Sequence, residues 1–315
     1  MATSFEEKYN ICRKSFENLK GNPDYPKEQL NFYADHIELL ALLSRGDGIS
    51  YGDIQDSFFG QPDEKSNAEN NDNEEYFIRQ IFSLIDERIK LFQGLYPFEK
   101  MNNSLFLKTH ISDNEKYYLF LLFSSMLNIF GSFQSDLTKD FETLSFEVLK
   151  KYLPNATIKK FGNNSDYHGN AKQKIIALSN DLGIPYDKYE ISQIGERNNQ
   201  ERGLDVIGWL PFGDKCQNKV VFLGQCACGK NFESKQHDTR RFEEYLKFYK
   251  TKPQHTLFIP YSLINVKEGK FYGNYIEKDY LVFERKRMVT LLNGDNTYDK
   301  LLSKELIEHC IKQYI

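Results

Sequence analysis

Two apolar segments in the second half of the chain carry oxygen-bearing side chains at matching positions. Asp205 begins a segment that runs to Phe212, and Gln225 lies near the end of the next one, 219–227. If the two segments pair as a hairpin around the turn 213–218, both side chains are about equally far from that turn and lie side by side. Carboxylate and amide oxygens on a rigid scaffold are ligands for a hard divalent cation such as Mg²⁺ or Mn²⁺. The spacing therefore predicts a metal site built around Asp205 and Gln225.

A further oxygen ligand, Glu142, belongs to the helix predicted over 137–153. The apolar residues of that helix form one continuous arc at about 100° per residue. Glu142 falls inside this arc, between Leu149 and Leu153. A carboxylate buried alone in an apolar environment is too costly, so it must be paired or bind a metal. The alternative is that Glu142 lies at the edge of the arc and extends to solvent.

Basic and sulfur-bearing side chains follow Gln225 closely. Candidates for contact with nucleic-acid phosphates are Lys235, His237, Arg240 and Arg241. The alternative, given equal weight, is that this segment is a solvated helix start. Cys226 and Cys228 form a Cys-x-Cys pair, but without a second pair or a nearby His such a pair on a strand belongs more often to the core.

The elements that must position these residues alternate between helices and strands from about residue 137. The predicted order is a helix over 137–153, a strand over 157–161, a helix over 172–182, strands over 205–212 and 219–227, a helix over 242–249 and a strand over 256–260. Such alternation requires a central sheet covered by helices. The second half is therefore predicted to be an α/β (α+β) domain with a mixed sheet flanked by helices.

This order and these residues resemble the PD-(D/E)XK, or restriction-endonuclease-like, nuclease superfamily. Its core runs helix, strand, strand, strand, helix, strand, and residues 137–260 match that order if 163–200 is an insertion. Its motif is an Asp at the start of the second strand, followed on the third strand by Glu or Gln, any residue, and Lys. Asp205 matches the Asp, Gln225 matches the Glu or Gln, and Glu142 lies on the helix that carries an active-site Glu in many members.

The resemblance implies metal-dependent hydrolysis of phosphodiester bonds in nucleic acid, with DNA rather than RNA as the default substrate. In this reading Glu142, Asp205 and Gln225 hold Mg²⁺ or Mn²⁺. Ala227 departs from the motif, because it occupies the position of the catalytic Lys, and Lys230 is the candidate replacement. The alternative is a catalytically inactive module of the same fold that binds nucleic acid or scaffolds a complex. The layout is also similar to nuclease subunits of bacterial anti-phage defence systems, which implies a protein partner subunit.

The first half of the chain is predicted to be a helical domain over 1–135 for regulation or partner binding, followed by the nuclease-like domain over 136–315. Residues 62–75 hold six acidic residues against one Lys and predict a flexible acidic linker. The helices before this linker surround a Gly-rich turn and raise the alternative of a DNA-reading helix-turn-helix. However, the second of these helices offers Asp53, Gln55 and Asp56 and no basic residue, which favours plain helical packing.

Composition limits the class of protein. The 315 residues are 40% hydrophobic and 15% aromatic, which excludes disordered and collagen-like chains. The formal net charge of -4 argues against non-specific coating of nucleic acid, although 150–175 is locally basic with six Lys against one Asp. An odd number of cysteines, five, suits free thiols in a reducing compartment. With neither a signal peptide nor a membrane-spanning segment in the sequence, a cytoplasmic location is expected.

Overall fold

The chain folds into two compact units in this computed structural model. It describes residues 4–17, 19, 23, 29–44, 46–60, 68–162, 164–196, 203–214, 216–235, 238–272 and 280–314. Unit 1 comprises Met1–Leu137, Tyr261–Glu268 and Asn293–Ile315, and unit 2 comprises Thr138–Pro260 and Gly269–Leu292. Unit 1 is therefore made of three segments of the chain, and unit 2 of two.

The helices and strands are listed here in chain order. The helices are α1 (Phe5–Glu17), α2 (Leu30–Leu43), α3 (Tyr51–Phe59), α4 (Ala68–Phe92), α5 (Asp113–Ser125), α6 (Gln134–Tyr152), α7 (Ala171–Leu182), α8 (Lys188–Ser192), α9 (Phe242–Tyr245), α10 (Arg285–Leu292) and α11 (Lys304–Tyr314). The strands are β1 (Ile49–Ser50), β2 (Phe98–Met101), β3 (Ser104–Leu107), β4 (Thr157–Lys160), β5 (Val206–Trp209), β6 (Val221–Cys226), β7 (Gln254–Phe258), β8 (Ile264–Asn265), β9 (Lys270–Phe271) and β10 (Leu281–Phe283).

Unit 1 is built mainly from helices around a small antiparallel sheet in the order β1–β3–β2. Helix α3 begins at a capping box in which Ser50 and Asp53 satisfy each other's backbone N–H groups. Helix α4 begins at Ala68, so residues 68–75 of the predicted linker are helical. An ion pair between Glu75 and Arg79, one turn apart, supports this start. The rest of the predicted linker, 62–67, lies outside the described residues.

Unit 2 contains a five-stranded sheet in the order β10–β7–β6–β5–β4. Strand β5 is antiparallel to its neighbours β4 and β6, and β6, β7 and β10 are parallel. This arrangement confirms the predicted mixed sheet. It also brings the end of β4, the start of β5 and the ends of β6 and β7 to one edge of the sheet, which we call the site edge.

Helices cover both faces of this sheet, as predicted. Leu149 of α6 packs over Gly208 of β5, where the missing side chain leaves room for it. On the other face, Ile175 and Leu178 of α7 share one buried cluster with Ile207 and Leu223. Helix α9 ends at Tyr245, earlier than predicted, because the following Leu246 pairs with Tyr186 in an isolated β-bridge. Within the described residues, no helix is long and apolar enough to cross a membrane.

Candidate active site at the sheet edge

The carboxylates of Glu142 and Asp205 meet at the site edge, next to Gly162. A Cβ atom placed on Gly162 would lie 3.1 Å from Oε2 of Glu142 and 3.1 Å from Oδ1 of Asp205. Both oxygens therefore border the same small space. The distance between them is at most twice 3.1 Å. The sequence predicts this convergence from the strand order and from the place of Glu142 on α6.

The backbone around Asp205 is held in place by strand pairing on both sides. Its N–H donates to Gly224 at 2.9 Å, and its carbonyl accepts from Phe161 at 2.7 Å and from Gly162 at 3.1 Å. The Cys226 backbone N–H donates to Oδ2 of Asp205 at 2.7 Å. One carboxylate oxygen is thus fixed by the neighbouring strand, while the other borders the space at Gly162.

Two thiols lie in the electrostatic field of these carboxylates. Burial raises the pKa of the Cys226 and Cys228 thiols, and the negative charge of Asp205 raises each of them further, with Glu142 contributing in the same direction. Ser145 of α6 lies close to the Cys226 thiol and opposes the shift. This contact orients Cys226 toward the α6 face of the sheet. Both thiols are neutral at physiological pH, so the negative charge here comes from the carboxylates.

Gln225 is directed away from this pair of carboxylates. Successive strand residues point to opposite faces, so Gln225 lies on the face opposite to Cys226. Its amide nitrogen donates to Asp238 at 3.2 Å, and its buried amide oxygen has no hydrogen-bond partner in the described part of the chain. Within the described residues, Gln225 forms no hydrogen bond with Glu142 or Asp205. The register of the hairpin places Gln225 opposite Asp205. However, Asp205 lies just before β5, so the alternation of side chains along that strand does not determine which face of the sheet the Asp205 side chain occupies.

The position of the missing Lys is buried and apolar. Ala227 is fully buried, and its backbone N–H donates to Phe258 of β7 at 2.9 Å. The predicted replacement, Lys230, is exposed in the turn after β6. The positive charge of Lys235 is close enough to Cys228 to oppose the rise in that thiol's pKa. Lys235 is therefore a second candidate for the cation of the site, although the sequence assigns it to phosphate contact.

The other predicted phosphate contacts lie in the short 3₁₀ helix Asp238–Arg241 and just before it. Arg240 and Arg241 are both exposed there, and the Arg240 guanidinium lies 6.0 Å from the centre of the Tyr280 ring. His237 lies outside the described residues. Asp238, which sequence reasoning did not select, joins this helix to the sheet through Gln225 and packs against Gly203.

The donor set at the site edge fits a hard divalent cation that has few protein ligands. In the described ranges, no group of three or more His, Cys, Asp or Glu side chains is arranged to hold a metal ion. A cation held by Glu142 and Asp205 would complete its coordination with water and substrate oxygens. Mg²⁺ commonly binds through one or two carboxylates and the phosphates of its substrate.

Gly162 is the site residue that sequence reasoning missed. The sequence marks it only as the glycine that ends a strand, with no sign that two carboxylates flank it.

Comparisons with known proteins add no further assignment, because no protein-family model, curated protein or solved structure matches this chain.

Proposed function

We propose that unit 2 is a metal-dependent nuclease that hydrolyses phosphodiester bonds of nucleic acid at the site edge. The observation that carries this proposal is the pair of carboxylate oxygens from Glu142 and Asp205, each 3.1 Å from one point above Gly162. Two like charges this close repel each other, and a divalent cation between them relieves the repulsion. Supporting the proposal further, helix, strands and insertion follow one another in the order expected of a PD-(D/E)XK core.

The protein groups have separable roles in this proposal. Glu142 and Asp205 hold Mg²⁺ or Mn²⁺, which when bound supplies positive charge for an attacking water and for the scissile phosphate. The Cys226 N–H fixes Oδ2 of Asp205, so the carboxylate does not rotate away from the Gly162 space. Lys235 or Lys230 offsets the negative charge that builds up on the phosphate. Exposed Arg240 and Arg241 bind neighbouring phosphates of the strand.

The test is cleavage of end-labelled DNA and RNA, single- and double-stranded, with Mn²⁺ or with EDTA. Asp205→Asn and Glu142→Gln preserve side-chain volume but remove charge, so each should lower Mn²⁺-dependent cleavage by about a hundredfold or more. Calorimetric titration with Mn²⁺ should show weaker binding in both variants. Glu147→Gln is the matched control, because Glu147 lies on the same helix α6 and pairs with Lys150 at 3.8 Å. Cleavage by Asp205→Asn at the wild-type rate would refute the assignment.

A second candidate function is a catalytically inactive module that binds nucleic acid or scaffolds a complex with a partner subunit. The observation in its favour is the fully buried Ala227 at the position of the usual Lys. This function predicts that the wild type binds nucleic acid but cleaves none of the four substrates with either metal. For the nuclease function we also propose DNA as the preferred substrate, a role in anti-phage defence and a cytoplasmic location.

A further inference from the structure

Two tyrosines of unit 2 are unusually exposed for aromatic residues. Tyr189, in α8, exposes 69% of its surface, and Tyr249, between α9 and β7, exposes 60%. Large aromatic side chains left in solvent in this way commonly mark a binding surface when they lie close together.

The two tyrosines lie on segments of the chain that pair with each other. Tyr186 pairs with Leu246 in a β-bridge, and an ion pair of 3.2 Å joins Lys247 to Asp187. Asp187 is two residues before Tyr189, and Lys247 is two residues before Tyr249. Each tyrosine backbone is therefore within about 7 Å of its member of this ion pair, since two residues span no more than that. The ion pair therefore joins the two segments that carry the tyrosines.

A lysine lies next to each tyrosine in the chain, although Glu190 follows Tyr189 directly. Lys188 and Lys250 are the chain neighbours of the two tyrosines, both are exposed, and neither forms an ion pair within the described residues. Lys172 adds a third positive charge, because its ammonium group donates to the carbonyl of Ser192 at the end of α8. Asp187 offsets part of this charge, because it pairs with Lys247 at 3.2 Å. Its carboxylate also accepts from the N–H groups of Glu190 and Tyr189, and these contacts hold its pKa below the usual value, so it stays ionised.

We propose that Tyr189 and Tyr249, with Lys188, Lys247 and Lys250, form a surface that binds single-stranded nucleic acid. Unpaired bases stack on the two rings, and the lysines bind the phosphates between them. A duplex hides the faces of its bases inside the helix, so it cannot use the rings in this way. The inference rests on the proposed function, because it names the class of substrate that reaches the site edge.

The position of the surface fits a strand that runs along unit 2. Tyr249 precedes β7, and β7 runs over five residues, Gln254–Phe258, toward the site edge. At about 3.3 Å per residue the strand covers roughly 15 Å. A bound segment of about 4 to 16 nucleotides, the usual range for sites of this kind, is long enough to occupy the surface and the site edge together.

The test is fluorescence anisotropy with a labelled single-stranded oligonucleotide and a hairpin duplex, both in EDTA so that cleavage does not interfere. The double variant Tyr189→Ala/Tyr249→Ala should bind the single strand at least about tenfold more weakly and the duplex within about twofold of the wild type. Tyr189→Phe/Tyr249→Phe should retain the affinity, because phenyl rings still stack. Tyr76→Ala is the matched control, since Tyr76 is 63% exposed on α4 beside the acidic residues Asp72 and Glu75.

Unchanged single-strand affinity in the double alanine variant would overturn the inference, as would an equal loss for the duplex. A wild type that binds no oligonucleotide would also overturn it and would point to a protein partner for these tyrosines. The cleavage assay is independent of these results. A chain that does not cleave but loses single-strand binding in the alanine variant would refute the nuclease proposal and leave this surface standing.

Discussion

Gly162 matters to the candidate site because it has no side chain. Its φ angle is not positive, so other residue types can adopt the same backbone conformation. Gly162→Ala should therefore fold, but the added methyl group would fill the space that borders Glu142 and Asp205. We expect Mn²⁺ affinity, measured by calorimetry, to fall by about 10- to 100-fold. Gly195→Ala is the control, because a Cβ there meets no atom within 4 Å. Equal Mn²⁺ affinity in both variants would contradict a metal position at Gly162.

The lysine that acts on the phosphate at the site edge can be identified by comparing Lys230 with Lys235. Lys235 lowers the pKa of the Cys228 thiol and Asp205 raises it, so both charged groups lie near this thiol. Lys235→Ala should lower the Mn²⁺-dependent cleavage rate on the order of a hundredfold, and Lys230→Ala should lower it only a few-fold. Single-turnover cleavage rates at saturating protein separate this effect from weaker substrate binding. The reverse order of the two variants would return the role to Lys230.

The sequence predicts the carboxylates of the site better than their surroundings. The apolar arc of α6 and the mouth of β5 locate Glu142 and Asp205, because burial and strand ends leave clear patterns. The direction of the Gln225 side chain could not be predicted in the same way. Its register is readable from the hairpin, but the direction of a side chain beside a strand end depends on tertiary contacts, here with Asp238. Lys235 lies beyond any fixed motif spacing, so only the path of the turn after β6 identifies it.

Within unit 1, a buried polar network joins α2 to α4. Arg88 of α4 donates to Asp35 and to Glu38 of α2, each at 2.7 Å. Glu38 also accepts from the hydroxyls of Tyr96 and Tyr118, at 2.8 and 2.7 Å. Burial opposes the charge of Arg88, but Glu38 and Asp35 outweigh burial and raise the pKa of its guanidinium. The two helices are therefore held in register by charge as well as by apolar packing.

Removal of Arg88 should be costly because it leaves two carboxylates buried without their cation. We expect Arg88→Met to lower the free energy of unfolding by about 3 to 5 kcal/mol. Arg79→Met is the control on the same helix, since Arg79 is exposed and pairs with Glu75 one turn away. Surface pairs of this kind contribute little. Urea unfolding followed by circular dichroism measures both variants, and similar midpoints would show that the network adds no stability.

At the level of elements, the sequence predicts seven elements of unit 2 in their order, from α6 to β7, but not α8, β10 or α10. The prediction fails at residues 68–75, where acidic and amide side chains suggested a loop and the chain forms the first two turns of α4. A helix of 25 residues can carry such a polar start, because its later turns bury Ile78, Ile81 and Ile85. The end of α9 was also misjudged, since the bridge between Tyr186 and Leu246 joins residues far apart in sequence.

For the molecule as a whole, the sequence predicts one change of architecture, near residue 136, and assigns everything after it to a single domain. Residues 293–315 belong to unit 1, where Tyr9 of α1 donates to Gln313 at 2.6 Å and contacts His309 of α11. Nothing in the local pattern of α11 shows which helices it packs against. Its apolar stripe fits any partner, so the division of the chain follows from tertiary contacts alone.

This division predicts which unit is destabilised by a substitution in α11. Leu306 is fully buried, whereas Leu302, just before the helix, is 60% exposed. Leu306→Ala should lower the free energy of unfolding by about 2 to 5 kcal/mol, and Leu302→Ala should change it little. Because α11 packs in unit 1, Leu306→Ala should also speed the reaction of buried Cys12 with a thiol reagent and leave exposed Cys216 of unit 2 unchanged. Mass spectrometry of the labelled peptides measures both rates. Faster labelling of Cys226 or Cys228 with no change at Cys12 would instead attach α11 to the nuclease-like unit, as the sequence suggested.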